Sequence, residues 1–426
     1  MGPLKAVVIG AGNRGNNYSD FALDEPDRLK VVAVAEPRTR FREKFAKKFS
    51  LAPNQVFKDW TEIAALDKMA DIAIITTPDQ LHVAPCLAFA KGGYHILLEK
   101  PMAVSYEDCK AIFSTCESCD VILAVCHVLR YTPQARKIKE LIDSGVIGEV
   151  MNIQLLEPIG AKHFAHSYVR GNWRDRDTSA FSLLTKSCHD IDLISSFMSG
   201  SKCIQVSSFG SLQHFKPANK PTGAASRCLD CSVSSKCPYS AQMYLDLVQA
   251  GHTGWPVKVL HAEPDIENIT EALRVGPYGQ CVYEGLNDVC DNQVVNMQFD
   301  NGASVSFTMV AGTEKVCQRQ VRVFGSKGEL SCDFDSNHVR MFDFLSEERT
   351  KTSLLEEMTC AQSSRLSGHG GADFFTMESF VNAVENKDQS LVLTGPKESL
   401  LSHYLCFMAE KSRTENKIIQ LTDAPY

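Results

Sequence analysis

The sequence predicts an α/β protein in two parts: a parallel sheet layered between helices, then a region built on a mostly antiparallel sheet. Three observations carry this reading. Over residues 1–126, short apolar runs alternate with helical patterns. Beyond them, β-like runs and hairpin turns dominate. The length of 426 residues is too great for one hydrophobic core, so the chain divides into domains, 1–126 and 127–426.

In chain order, the apolar runs 6–9, 31–35, 72–76, 95–98 and 121–125 read as strands. They are continuously apolar rather than alternating, which marks a sheet covered on both faces. Between them, Phe41, Phe45 and Phe49 recur every four residues and fall on one helix face. Ser105 and Asp108 have the spacing of a capping box at a helix start. After residue 126, helices are expected near 133–144 and 187–199, and strands at 151–156, 203–212, 294–299, 304–310 and 320–324. Asp300-Asn301-Gly302 reads as a hairpin turn, as does Ser326-Lys327-Gly328 before a strand at 329–332. Helices at 372–386 and 396–413 end the chain, and 214–240, rich in Pro, Ser and Cys, reads as a long loop or insertion.

The hydrophobic share of 44% and charged share of 22% are those of a globular protein, and a net charge of -7 argues against a nucleic-acid partner. No run of about 18 apolar residues occurs, so no membrane span is expected. Met1-Gly2-Pro3-Leu4-Lys5 leads straight into the first strand, leaving no room for a signal peptide. Ala6 stands where a myristoylation signal needs Ser or Thr. The expected location is cytoplasmic. Most of the 16 cysteines, such as Cys86, Cys109, Cys126 and Cys406, then read as reduced, buried small hydrophobes.

The first strand runs into Gly10-Ala11-Gly12-Asn13-Arg14-Gly15 and then a helix. The first glycine permits a tight turn, the second lets backbone approach a pyrophosphate, and the third lets helix and strand pack closely. Asn13 and Arg14 sit at the helix start, whose free N–H groups suit phosphate. Glu36 ends the second strand, where a carboxylate accepts from a ribose hydroxyl and repels a 2′-phosphate. NAD is therefore the expected cofactor. NADP stays open because Arg38 and Arg40 follow, though they read better as a solvated helix start. Thr76-Thr77-Pro78-Asp79, at the fourth strand's carboxyl end, are candidates to line the cofactor.

These motifs continue into Thr77-Pro78 with His82 four residues beyond the proline, and then Glu99-Lys100-Pro101. Together they resemble the glucose–fructose oxidoreductase / inositol dehydrogenase / rhizopine catabolism (Gfo/Idh/MocA) family. The resemblance implies a Rossmann domain, then an α/β domain with a large open antiparallel sheet that serves substrate binding and assembly into a homodimer or homotetramer. It implies NAD(P)-dependent redox chemistry on sugars, polyols or their derivatives. It places His82 and Glu99 beside the cofactor and makes Lys100 the catalytic lysine, able to polarise a reacting oxygen. It aligns Thr185-Lys186-Ser187-Cys188-His189 with a helical Asp-x-x-x-His motif. His189 keeps the general base. Thr185 replaces the aspartate, and Lys186 is the candidate substitute, as an acid or as a clamp on substrate. Asp190 or Asp192 would orient His189 or cap the helix. His127 and Arg130 follow the sixth strand, where the family places substrate or cofactor contacts. His369, in Gly368-His369-Gly370-Gly371-Ala372-Asp373, reads either as a site residue or as part of a capping loop.

The expected reaction seats a sugar or polyol hydroxyl between Lys100 and His189, with Lys186 or His369 fixing the rest of the substrate. The altered Asp motif also motivates a redox-neutral, NAD-dependent glycoside hydrolase, and the superfamily's non-catalytic members motivate a dinucleotide or sugar sensor. Separately, Cys228, Cys231 and Cys237 have the spacing of a zinc half-site with a third thiol. Cys281 is the chosen fourth ligand of a structural zinc, with Cys290 and His214 as alternatives. Unligated loop thiols are the competing reading.

Overall fold

The computed structural model describes residues 2–362 and 364–422. The first sheet has six parallel strands: β1 (Leu4–Ile9), β2 (Leu29–Ala35), β3 (Val56–Phe57), β4 (Ile72–Ile75), β5 (His95–Leu98) and β6 (Leu123–Val125). Their order is β3-β2-β1-β4-β5-β6. Every β4 side chain is buried, as is most of β1 and β5, which is why these strands read as unbroken apolar runs. The order reverses between β1 and β4, and such a switch point leaves a crevice beyond the strands' carboxyl ends. Ser105 caps the helix Tyr106–Ser118, its Oγ accepting from the Asp108 amide at 3.1 Å.

The second sheet has nine strands: β7 (Val150–Pro158), β8 (Cys203–Ser211), β9 (Asn292–Phe299), β10 (Ser304–Val310), β11 (Gln320–Gly325), β12 (Gly328–Asp333), β13 (His338–Asp343), β14 (Arg349–Ser353) and β15 (Ile419–Gln420). The order is β14-β13-β12-β11-β7-β10-β9-β8-β15, antiparallel except for the β7–β10 pair. Gly302, at φ 87°, makes the expected β9–β10 turn. One sheet face packs on the helices Cys188–Phe197 and Pro396–Glu415, around Ile153, Leu155, Val295, Phe307 and Val323. No helix among the described residues is long and apolar enough to cross a membrane.

Three features depart from the sequence reading. The helix expected at 187–199 is preceded by a short one, Ser182–Thr185, and the chain breaks between them at Lys186 and Ser187. Met377, Phe380 and Val381 of the helix Ala372–Asn386 pack with Tyr18, Phe21 and Val34, so a C-terminal helix completes the first core. The insertion extends well past residue 240. After short turns it forms helices Gln242–Gln249, Val257–Leu260 and Ile266–Val275 around their own small core of Ala241, Tyr244, Val257, Ile269 and Leu273.

Candidate active site

The glycine loop is a close-fitting cradle. Gly10 has φ +94°, and a Cβ there would lie 2.7 Å from the Thr76 carbonyl oxygen. A Cβ on Gly15 would lie 2.0 Å from the Gly10 carbonyl oxygen. At Gly12, by contrast, nothing sits closer than 3.5 Å, leaving the backbone approachable. Thr76 Oγ1 donates to the Gly10 carbonyl at 2.7 Å, pinning the loop to the end of β4. Asn13 is exposed at the helix start. Thr77 Oγ1 donates to the Leu81 carbonyl, and the His82 ring is wedged between the carbonyls of Thr77 and Pro101 at 3.0 and 2.8 Å. His82 therefore joins the strand ends behind the cleft. This cradle fits a dinucleotide: backbone is open at Gly12, and a carboxylate waits at Glu36.

Glu36 accepts from the Ala11 amide at 2.9 Å and from Arg38 Nε and Nη2 at 2.7 and 2.9 Å. Burial pushes its carboxyl upward, but Arg38 and the two backbone amides outweigh this and hold it below the usual range. Arg38 also lies 4.0 Å from the Phe41 ring centre. Arg14 turns inward rather than toward the cradle. Its Nε donates to Glu99 at 2.7 Å, and Nη1 and Nη2 donate to Asp373 at 2.9 and 2.8 Å. Tyr18 donates to the same Glu99 oxygen at 3.0 Å. Asp373 and its partner His369 (Nδ1 to Oδ1, 3.0 Å) reach this point from the C-terminal helix and its leading loop.

Glu99-Lys100-Pro101 follows β5, with a cis Lys100–Pro101 bond. Lys100 Nζ donates to the Thr185 carbonyl at 2.6 Å and lies 5.4 Å from the Trp173 ring centre. The break at Lys186-Ser187 is what presents that carbonyl. The expectation that Thr185 and His189 share one uninterrupted helix face is thereby corrected: Thr185 contributes its backbone oxygen, and its side chain is buried. His189 is 7% exposed, and its Nδ1 is buried without a hydrogen-bond partner, so Nε2 is the nitrogen left to face the cleft. Burial, then Lys100 and His127, drive its pKa well below 6.5, so the imidazole is neutral.

Lys186, expected as an acid or as a clamp on substrate, is turned into the protein interior. It is 7% exposed and pairs with Glu157 at 3.1 Å and Cys317 Sγ at 2.8 Å. Burial lowers its pKa, but Cys317 and Glu157 outweigh that and raise it, so Lys186 keeps its proton. Arg319 binds Glu157 and Asp190 at 2.8 and 2.9 Å, closing a buried network under the helix break. Arg130 is likewise committed, gripping Asp192 at 2.6 and 2.9 Å and the Leu393 carbonyl. His127 is fully buried, lies 5.8 Å ring to ring from His189, and has neither nitrogen hydrogen-bonded. It stands behind the base rather than against a substrate.

Asp79, expected at the edge of the cofactor site, instead accepts from Trp173 Nε1 at 2.8 Å and so fixes the indole beside Lys100, a partner that sequence reasoning missed. Such reasoning also missed Glu157, Cys317 and Arg319, none of which stands in a local motif that offered a signal.

The zinc expectation is not met as drawn. Cys228, Cys231, Cys237 and Cys281 do line one cavity, with Cys281 brought there by the Arg227–Gln280 bridge. Yet among the described residues no group of three or more His, Cys, Asp or Glu side chains is arranged to hold a metal ion. Cys228 Sγ instead accepts from Arg170 Nη2 at 3.3 Å. Of the alternatives, His214 bonds Tyr283, and Cys290 does not line the cavity of the other four.

The profile of a family described as "Oxidoreductase family, NAD-binding Rossmann fold" matches residues 4–127, and that of its C-terminal alpha/beta domain matches 139–421. The chain is 27% identical to the YteT oxidoreductase of Bacillus subtilis over 72% of this chain and 71% of that one. It is 25% identical to a 2,7-anhydro-N-acetylneuraminate hydratase of Escherichia coli, over 44% of this chain and only 47% of the relative. Among solved structures, a levoglucosan dehydrogenase in complex with NADH and L-sorbose superposes with TM-score 0.72 at 17% identity, over 99% and 100% of the two chains. An inositol dehydrogenase homolog from Azotobacter vinelandii, complexed with NAD+, superposes with TM-score 0.70 at 14% identity over 99% and 98%. At these identities the structures establish a shared fold.

Proposed function

The chain belongs to the oxidoreductase family with an NAD-binding Rossmann fold and a C-terminal alpha/beta domain, and on that premise we propose that it moves hydride between a nicotinamide dinucleotide and a hydroxyl of a sugar, polyol or sugar derivative. The observation that carries the reading is the convergence of Lys100, which follows β5 and binds the Thr185 carbonyl, and the neutral His189, just past the helix break and within the field of Lys100. When bound, the dinucleotide supplies the hydride acceptor. The chain's own residues do the rest. Lys100 Nζ exchanges the Thr185 carbonyl for the substrate oxygen and stabilises negative charge developing there. His189 takes the hydroxyl proton on Nε2. His369 stands 6.5 Å ring to ring from His189, where it can meet the rest of the substrate.

NAD rather than NADP is supported by Glu36, whose carboxylate disfavours a 2′-phosphate and whose Arg38 neighbour is already bound to it. The half-exposed outer face of the second sheet supports assembly into a dimer or tetramer, and the expected place of work is the cytoplasm.

The test mixes the protein and NAD with a panel of sugars, polyols, sugar acids and glycosides and follows the reduced-nicotinamide absorbance band. A rise with one class of compound is the expected outcome. The hydratase relatives favour a second reading, redox-neutral chemistry on a sugar. Its mark is product formation with no net reduced cofactor.

A further inference from the structure

A strap of the insertion spans the cleft between the two sheets. At one end, the Trp255 ring packs nearly perpendicular to His163 and His166, at 5.2 and 5.3 Å between ring centres. At the other end, His261 Nε2 lies 2.8 Å from Arg40 Nη1, and the Ala262 carbonyl accepts from Lys44 Nζ at 3.1 Å. Between them Lys258 comes within the field of Lys48, Asp20 and Arg14, all on the dinucleotide side. The strap thus runs from the substrate side to the dinucleotide side.

Trp255 also ends a chain of aromatic rings that begins at the reaction centre. Lys100 faces Trp173, Trp173 stacks on Tyr168 at 5.6 Å, Tyr168 neighbours His163 at 6.3 Å, and His163 meets Trp255. Tyr168 is buried, whereas Trp255 is 48% exposed. Two imidazoles contact the indole, and about half of its surface stays exposed. A half-exposed indole held between other rings suits the apolar C–H face of a sugar ring or an aryl group. His163 is fixed in turn by Cys317 Sγ at 3.2 Å, and Cys317 by Lys186, so the platform is tied to the buried network under the helix break.

We propose that Trp255 is a specificity residue: it stacks the second ring of a glycoside whose first ring reacts between Lys100 and His189. The inference rests on the sugar-hydroxyl reading above and narrows the substrate from a free monosaccharide or polyol to a glycoside. The same placement explains why the insertion reaches back over the cleft instead of folding away from it.

The test compares matched methyl and p-nitrophenyl glycosides on the full-length protein with NAD bound. Affinity is read by calorimetry and turnover by absorbance, so binding is scored even if no compound is oxidised. The wild type is expected to bind the aryl glycoside more tightly than the methyl glycoside. Trp255→Ala is expected to abolish that preference, a loss of up to about tenfold, and Trp255→Phe to keep most of it. Circular dichroism and thermal melts of both variants check that they fold. An aryl preference unchanged in Trp255→Ala, equal losses for both probes, or no aryl preference in the wild type would overturn the proposal. A failure of NADH formation with the Trp255-dependent preference intact would count against hydride transfer alone.

Discussion

At the scale of single residues, the site depends on a carbonyl and an imidazole placed by one broken turn. Thr185 lends its backbone oxygen to Lys100, and His189 follows four residues on. Lys100→Ala removes the group that stabilises charge on the substrate oxygen. Turnover is expected to fall by about a hundredfold or more, with dinucleotide affinity, measured by fluorescence titration, little changed. The depressed pKa of His189 has a defined sign. A base works when unprotonated, and burial with Lys100 and His127 keeps His189 unprotonated below its ordinary range. The acid limb of kcat/KM should therefore lie below pH 6.5. A limb at or above 6.5 that is lost in His189→Gln would show the imidazole to be unperturbed. Lys100, the glycines, Glu36 and His189 were legible in sequence because each sits in a local motif. The true surroundings of Lys186 were not, since Glu157 and Cys317 arrive from distant strands and loops.

At the scale of elements, the closing device is the C-terminal helix Ala372–Asn386. Its Asp373 meets Arg14 of the glycine loop, and its apolar face enters the first core. Burial raises the Asp373 carboxyl, but Arg14 and His369 outweigh it and depress it strongly. Asp373→Ala leaves a largely buried guanidinium with Glu99 as its remaining carboxylate. A loss of about 3 kcal/mol in denaturant unfolding is expected, together with weaker dinucleotide binding as the loop loosens. An unfolding midpoint equal to wild type would show that Arg14 finds water instead. The strands of both sheets were legible where apolar period or turn chemistry marked them. The polar β14, Arg349–Ser353, was not, because it borrows its register from β13 and carries no apolar period of its own.

For the molecule as a whole, the histidines dominate the response to mild acid. Burial lowers the pKa of His127, His163 and His189 well below 6.5, of His166 to about 4 and of His403 to about 3. In the unfolded chain these rings take protons as pH falls through about 6.5, whereas in the folded chain they do not. Stability is therefore full above 6.5 and declines below it, down to the folded pKa values, by up to about 1.4 kcal/mol per pH unit for each such ring. Melting temperature should already drop between pH 6.5 and 5, above the range where ordinary carboxylates titrate. A flat profile over that interval would mean the rings are hydrated or paired in the folded state.

What the sequence by itself determined is what neighbours along the chain can encode: the parallel sheet, the glycine cradle and its acidic ribose partner, the Glu-Lys-Pro turn, and the α/β order of the two parts. Tertiary structure alone decided which charges find each other. Arg14 turned from phosphate toward Asp373, Lys186 sank onto Glu157, four cysteines came to one cavity without an arranged metal site, and an insertion laid Trp255 across the cleft. The physical reason is the same in each case. Local steric and hydrophobic periods act over a few residues, but a buried charge or an exposed ring takes its partner from whatever the fold brings within a few ångströms, however far away in sequence.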